Sequence, residues 1–535
     1  MALTLVCFVA VLLLRTARCQ GSYGPTESEV TDVPLWDAPL PSPQYAGYIN
    51  IPGTSKHVFY HLFVSQQSPA KDPLVVSVPG GPGGSITDLD IVPFLYSNKF
   101  ADPFSPSLIP DNVTVSLNPH TWAKVRPLIA HVMLCSPLAV ALHAPTSCVC
   151  DVTVLDTASE DLQAANLLLM DSVAGVGYSY SLNEQDYNTS DSQAQTDMEA
   201  TLREWCHTYS YFANHSVFLH GRSYAGKYVP LLGQAILKGN QEGAKPSINL
   251  EGYMIGNGVT DSSTDNINIF SLFSAWPLIP DTLAANLTQF NCGTLTNPID
   301  ADTVKFTGSN TTQVSACMEL TAQTFIEALA KQIAAQMAAE GVDNQALYSQ
   351  SWTSYKPGAG CNEDERATHL YFNRADVRRA LHVQAVQEQA GLWLGLNPRV
   401  ATAYSYDIPS VLPQHAFLIS KGLRALIYSG DLDWQVPWRG SQHWTSQLGA
   451  SLGPLAAWRA WYRPDPRNSG SQVSGFITQY KGLAFMTFKA AGHRVPSDTP
   501  EDAYIMFTNF IADTLNATTI YQDFEGGLQS SIGIQ

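Results

Sequence analysis

Short apolar runs alternate along this chain with longer stretches in which apolar positions recur at helical spacing. Leu74 to Val78, Leu167 to Met170 and Val217 to Leu219 are apolar or β-prone almost throughout. Runs of this kind predict strands buried on both faces, and their alternation with helical patterns predicts a mostly parallel sheet covered by helices on either side. One junction carries particular weight. Val217-Phe-Leu leads into Gly221-Arg-Ser-Tyr-Ala-Gly226, and then Leu231, Leu232, Ala235, Ile236 and Leu237 recur at helical spacing. The pattern predicts strand, sharp turn and helix. The small residues let the chain turn tightly enough to lift the Ser223 hydroxyl out of the sheet, and the helix N-terminus points amide donors at it.

This is the nucleophile-elbow pattern, with Ala225 where the last glycine of G-x-S-x-G would stand. Two later strand ends offer partners. Leu426-Ile-Tyr-Ser-Gly-Asp-Leu-Asp-Trp runs into a turn with two carboxylates, Asp431 and Asp433, and the apolar run from Phe485 ends in Gly492-His493. Serine, aspartate, histidine is the α/β-hydrolase chain order. In that arrangement His493 takes the Ser223 proton and returns it to the leaving group, while an aspartate holds the imidazole tautomer.

With these blocks in place the chain resembles the serine carboxypeptidases, the group of the vacuolar carboxypeptidase and the lysosomal protective protein. The resemblance runs from about Tyr45 to Ile511. It rests on Gly80-Gly-Pro-Gly, Asn118-Pro-His-Thr-Trp, Ala174-Gly-Val-Gly-Tyr-Ser-Tyr-Ser, Ser223-Tyr-Ala-Gly-Lys-Tyr, Ile255-Gly-Asn-Gly-Val-Thr-Asp, Tyr371-Phe-Asn-Arg-Ala-Asp-Val-Arg-Arg-Ala-Leu-His, Tyr428-Ser-Gly-Asp-Leu-Asp-Trp and Ala491-Gly-His-Arg-Val-Pro-Ser-Asp-Thr-Pro. It implies an α/β-hydrolase fold with a helical cap, Ser223 as nucleophile, Asp433 rather than Asp431 as orienting acid, and His493 as base. It also implies an oxyanion hole made by the Gly81 and Tyr224 amides. The family binds a free C-terminal carboxylate with an Asn before Gly-Gly-Pro-Gly, a Glu directly before the nucleophile and a second Glu after the glycine loop. Here Pro79, Arg222 and Asp90 stand in those places, with Gly80 beside them. A carboxyl group can bond a substrate carboxylate only while protonated, whereas Arg222 is always charged and offers a planar fork. Either Arg222 takes over the clamp, or it pairs with Asp90 or faces solvent and exopeptidase activity is lost.

The chain begins with an address. Leu3 to Leu14 is nearly uninterrupted apolar sequence, too short to span a bilayer, and Ala17-Arg18-Cys19 precedes Gln20. Residues 1–19 are therefore expected to be a signal peptide, and no other stretch is long and apolar enough for a membrane span. The expected destination is secretion or the lumen of an acidic endomembrane compartment, a vacuole or lysosome. Residues 20–260 and 362–515 are expected to form the hydrolase core. Residues 261–361, where the strand signal gives way to Ala-rich helical composition, match the place where the family inserts its cap. Residues 516–535 are a polar tail. Between Trp122 and Asn166 the resemblance lapses: residues 125–163 have three cysteines and no clear period, and open and close on Val125 and Gln163, whose codons can carry GT and AG. They are a surface insertion or an untrimmed intron.

Of 535 residues, 45% are hydrophobic and 14% charged, enough to build a substantial core. The net charge of −17 argues against nucleic acid or an anionic membrane as partner, since both would repel it. Six sequons, at Asn112, Asn188, Asn214, Asn286, Asn310 and Asn516, fit a secretory glycoprotein. Without Cys7 and Cys19 the cysteines are Cys135, Cys148, Cys150, Cys206, Cys292, Cys317 and Cys361, an odd number. The family's disulfide between the residue after Gly-Gly-Pro-Gly and a Trp-x-x-Cys block has lost both halves, to Gly84 and Leu396. Cys148 and Cys150 have no nearby ligand set for a metal, and no metal or organic cofactor is implied. The predicted activity is that of a serine-type carboxypeptidase on peptide or protein substrates. An esterase or acyltransferase on the same scaffold, or a catalytically silent lumenal glycoprotein, is the alternative; oligomeric state is open.

Overall fold

The computed structural model describes residues 22–85, 91–98, 113–124, 129–133, 152–156, 164–265, 267, 269–276, 280–282, 285, 363–383, 391–464 and 471–515. The expected signal segment 1–19, Asp90, the expected tail 516–535, and most of 125–163 and 261–361 lie outside the described residues. In chain order the strands are β1 (Glu29–Val30), β2 (Gln44–Asn50), β3 (Lys56–Phe63), β4 (Leu74–Val78), β5 (Phe94–Asn98), β6 (Val113–Leu117), β7 (Ile129–Met133), β8 (Val152–Asp156), β9 (Asn166–Met170), β10 (Tyr180–Ser181), β11 (Val217–Arg222), β12 (Leu250–Gly256), β13 (Arg424–Gly430), β14 (Pro454–Pro464), β15 (Ser471–Tyr480) and β16 (Leu483–Phe488). The helices that matter here are α1 (Asp191–Thr208), α2 (Ala225–Gln241), α3 (Leu412–Ser420), α4 (Trp438–Leu452) and α5 (Pro500–Ile511).

Twelve strands form one sheet in the order β1-β2-β3-β9-β4-β11-β12-β13-β16-β15-β14, with β10 attached to β3. The six from β9 to β16 are parallel, and the outer strands on both sides run antiparallel. The apolar runs explain this layout. Leu167 and Leu169 pack on one side with Val75, Phe218, Met254 and Leu426, while Leu168 and Met170 pack on the other with Val76, Leu219, Ile255 and Ile427. Side chains alternate along a strand, so an unbroken apolar run needs a core on each face. Helix α5 supplies Phe507 and Phe510 to the first core; α1 and α2 supply Leu202, Trp205, Leu232 and Ile236 to the second.

Because β4, β11, β12, β13 and β16 are parallel, the loops that follow them leave the same edge of the sheet. Those loops carry Gly80, Ser223, Asn257, Asp433 and His493 respectively. The glycine loop is held from outside as well: Gly84 faces Leu396 in an antiparallel bridge, with the Ser85 amide donating to Gly395 O at 2.9 Å and the Asn397 amide to Gly83 O at 2.8 Å. Cys206 is a buried free thiol, and the other cysteines lie outside the described residues.

Candidate active site

Ser223 sits between the end of β11 and the first residue of α2 with φ 62°, a left-handed conformation that costs a non-glycine residue about 1–2 kcal/mol. The surroundings hold it there. Its amide donates to Gly256 O at 3.0 Å, and its carbonyl accepts from the Gly226 and Val259 amides, both at 2.9 Å. Glycine is required at 226 because a Cβ would meet Val259 O at 2.5 Å. At Gly80 a Cβ would lie 2.5 Å from Arg222 O, 2.9 Å from Ser223 Cβ and 3.0 Å from Tyr224 N. The glycine loop therefore approaches the serine turn to a distance no side chain would permit, and Gly81, at φ 117°, follows directly.

His493 and Asp433 come together from β16 and β13, with His493 Nδ1 2.7 Å from Asp433 Oδ2. Asp433 is almost wholly buried, and its carboxylate is held by four donors: the imidazole, Asn257 Nδ2 at 2.6 Å, the Gln435 amide at 2.8 Å and the Val436 amide at 3.3 Å. A carboxylate so arranged can fix the imidazole tautomer and balance the charge that develops when the ring takes a proton. Asp431 does other work: it accepts from the Ala490 amide at 2.8 Å, anchoring the loop before the histidine, and burial raises its carboxyl above the ordinary range. Asp498 accepts from the Gly492 amide at 2.8 Å on the far side of that loop.

Tyr224 is buried, and its hydroxyl donates to Asp191 Oδ1 at 2.5 Å; Asp191 also accepts from the Tyr404 hydroxyl and the Ile408 amide, both at 3.0 Å. Burial, and next the Asp191 charge, push the Tyr224 phenol up, so it stays neutral as a donor. Arg222 does not face solvent. It is 8% exposed, and its Nη1 donates to His493 O at 3.4 Å, beside both Ser223 and the histidine. Asp90, the third residue of the expected carboxylate site, lies outside the described residues. In the sequence Asn257 stands out only by its position between two glycines at a strand end. Among the described residues no group of three or more His, Cys, Asp or Glu side chains is arranged to hold a metal ion, and no helix is long and apolar enough to cross a membrane.

The comparison with known families decides what kind of hydrolase this geometry belongs to. A family model described as serine carboxypeptidase matches residues 34–129 and 161–513. The chain belongs to the serine carboxypeptidase family. It is a serine-type carboxypeptidase by family and an α/β hydrolase by fold. Serine carboxypeptidase 1 of Hordeum vulgare is 30% identical over 522 residues, covering 91% of this chain and 93% of that one. Serine carboxypeptidase-like 20 of Arabidopsis thaliana is 28% identical, covering 94% and 97%. The crystal structure of a prohormone-processing carboxypeptidase from Saccharomyces cerevisiae shares the fold with a TM-score of 0.61 at 17% identity, covering 92% of this chain and 95% of that one. The family match passes over residues 130–160, which hold β8 and all but the first residue of β7, and these two strands pair antiparallel apart from the main sheet.

Proposed function

We propose that Ser223, His493 and Asp433 are the catalytic residues with which this carboxypeptidase releases C-terminal residues from peptides. The observation that carries the reading is the His493–Asp433 pair at 2.7 Å, set at the same sheet edge as a serine held at φ 62°. Ser223 Oγ attacks the scissile carbonyl while His493 Nε2 takes its proton, giving a tetrahedral intermediate whose oxyanion the Gly81 and Tyr224 amides receive. Collapse breaks the C–N bond, and His493 returns the proton to the departing amine. Water then repeats the sequence on the acyl-enzyme, releasing the shortened peptide and restoring Ser223.

For the substrate's terminal carboxylate, Arg222, Gly80 and Asp90 form the proposed binding set. Arg222 supports it by charge and by place, since it lies against the His493 carbonyl one residue before the nucleophile. Recognition by a permanent cation does not fade as pH rises through the carboxyl range, unlike recognition by protonated carboxyl groups. Entry into a secretory route and delivery to an acidic lumen complete the reading. Asn188 and Asn214, the sequons within the described residues, are both exposed and open to glycosylation. We take residues 125–163 as an addition outside the catalytic frame, whether insertion or untrimmed intron; transcript reads spanning them intact exclude the intron.

The test is hydrolysis of an N-blocked dipeptide and of its C-terminal amide, from acid to neutral pH. The wild type is expected to cleave the acid and spare the amide, and Ser223→Ala to lower kcat roughly 10⁴-fold or more. Arg222→Glu is expected to lose activity near neutrality first. Better acid-pH cleavage by Arg222→Glu at no cost near neutrality would end the clamp; cleavage of a simple ester but neither peptide would favour the acyl-transfer alternative.

A further inference from the structure

Behind the nucleophile, on the face of the sheet that α5 covers, a second set of polar side chains crosses the strands. Ser77 of β4 is hydrogen-bonded to Nδ1 of His220 on β11 at 3.0 Å, and Nε2 of that ring is hydrogen-bonded to the Tyr428 hydroxyl on β13 at 3.0 Å. All three side chains are buried, with the imidazole 1% exposed. The contact from β11 to β13 passes over β12, and Gly256 makes room for it: a Cβ there would lie 2.4 Å from Tyr428 Cζ and 2.6 Å from its hydroxyl oxygen. Trp122 meets the imidazole edge-on at 4.9 Å and is itself stacked on Phe507 at 4.3 Å.

Leucine or valine would fill these core positions without any polar group to satisfy, so the polar choice calls for a reason. A neutral imidazole has one donor and one acceptor, and in either tautomer it can link two hydroxyl groups. What the link joins is the relevant point. Ser77 precedes the glycine loop, His220 precedes Ser223, and Tyr428 precedes Asp433. Backbone contacts carry the constraint onward, since Tyr428 O accepts from the Asn257 amide at 2.7 Å and Gly256 O accepts from the Ser223 amide at 3.0 Å. A shift of Tyr428 would move Asn257, and with it the carboxylate that orients His493.

We propose that Ser77, His220 and Tyr428 form a positioning belt that fixes the three strand ends so that the glycine loop, the nucleophile and the acid–base pair meet in register. The proposal rests on the assignment of Ser223, His493 and Asp433 made above. None of the three belt residues touches substrate. Their loss acts on the bonds that form in the transition state and leaves substrate binding alone, and displacements of an ångström or less at a reacting centre can cost up to about a hundredfold in rate.

Tyr428→Phe removes one oxygen and keeps the ring, and His220→Leu removes both links. Each is expected to lower kcat roughly tenfold to a hundredfold with KM within about twofold, and to slow modification by a fluorophosphonate in parallel. His220→Gln, which keeps a donor and an acceptor, is expected to recover most of the rate. The double variant should lose little more than the worse single one, because the belt acts as a unit. Full kcat in Tyr428→Phe, even with a lowered melting temperature, overturns the proposal, as do losses that multiply in the double variant. Fluorophosphonate labelling of Ser223→Ala separates the two layers: labelling and activity that survive there bring down the nucleophile assignment and the belt with it, whereas their loss alongside a fully active Tyr428→Phe brings down the belt alone.

Discussion

At Asn257 the backbone takes φ 46°, the side-chain Nδ2 reaches Asp433 Oδ2 at 2.6 Å and Gly492 O at 3.5 Å, and Oδ1 accepts from the Gly430 amide at 3.4 Å. One side chain thus ties the acid, its strand and the histidine loop. Asparagine tolerates the left-handed region better than other side chains do, which lets a strained position also supply an amide. Glycine would remove the amide while easing the backbone; alanine would remove it and add about 1 kcal/mol of conformational cost. Both variants should lower kcat roughly tenfold or more with little change in KM, and Asn257→Ala should melt below Asn257→Gly. Undiminished kcat in Asn257→Gly would show that Asp433 needs no help from the amide. At this scale the sequence was only partly legible. The turn after Tyr428 offers two aspartates, and residue type cannot say which one meets the imidazole. The chain separates them by geometry, sending Asp431 to the Ala490 amide and Asp433 to His493. The buried roles of His220 and Tyr428 are set by strands distant in sequence, so no local pattern announces them, and for Asn257 the flanking glycines mark the position without naming its partners.

Among the elements, the Gly84–Leu396 bridge shows how a backbone ladder holds the glycine loop without a covalent link. The flanking bonds, Ser85 to Gly395 and Asn397 to Gly83, make Gly84 and Leu396 a pair that is not itself hydrogen-bonded, the arrangement in which Cα atoms come closest, at about 4.5 Å. That separation lies within the range a disulfide accepts. A Cβ at position 84 would sit 2.8 Å from Gly80 O, a backbone atom, so the loop must shift in the oxidised and reduced forms alike, and comparing the two isolates the cross-link. The double variant Gly84→Cys/Leu396→Cys is expected to oxidise, and to be more stable than its own reduced form by about 2–4 kcal/mol in urea. A thiol titration that finds both cysteines free, or equal urea midpoints with and without reductant, would contradict this. The parallel strands are readable because Leu74–Val76, Leu167–Met170 and Val217–Leu219 are unbroken apolar runs whose side chains serve both faces. The antiparallel strands on the β3 side are not, because β3 carries Lys56 and His61, which break the apolar run. Both are buried with partners that only the fold reveals: Asp197 at 2.6 Å from the lysine and Gln44 at 3.1 Å from the histidine.

For the molecule as a whole, response to acid is a balance between groups far apart in the fold. Burial pushes His61 and His415 down to about 3; His61 lies in β3, and His415 in α3 rests against Trp444 of α4 with Nδ1 bonded to the Tyr253 hydroxyl at 2.8 Å. Both are neutral in the fold but take protons when unfolded, so the stability they contribute is present above about pH 6.5 and is lost as pH falls toward 3. Asp265 acts oppositely. It is buried where the chain leaves β12 and accepts from the Thr260 and Asp261 amides; desolvation nonetheless pushes its carboxyl up to about 7. Its contribution is full below the ordinary carboxyl range near 4 and is lost as pH rises through 7. Between pH 7 and pH 5 the two histidines together cost about 4 kcal/mol and Asp265 returns about 2, so the aspartate offsets roughly half of their loss. Below about pH 4 the aspartate has nothing more to give while the histidines continue, and the fold weakens. Asp265→Asn removes the offset. Its stability in urea should fall about 2 kcal/mol further than that of the wild type between pH 7 and pH 5, whatever its value at pH 7. Parallel curves for the two proteins would mean that Asp265 is already ionised at pH 5 and offsets none of the loss from the histidines.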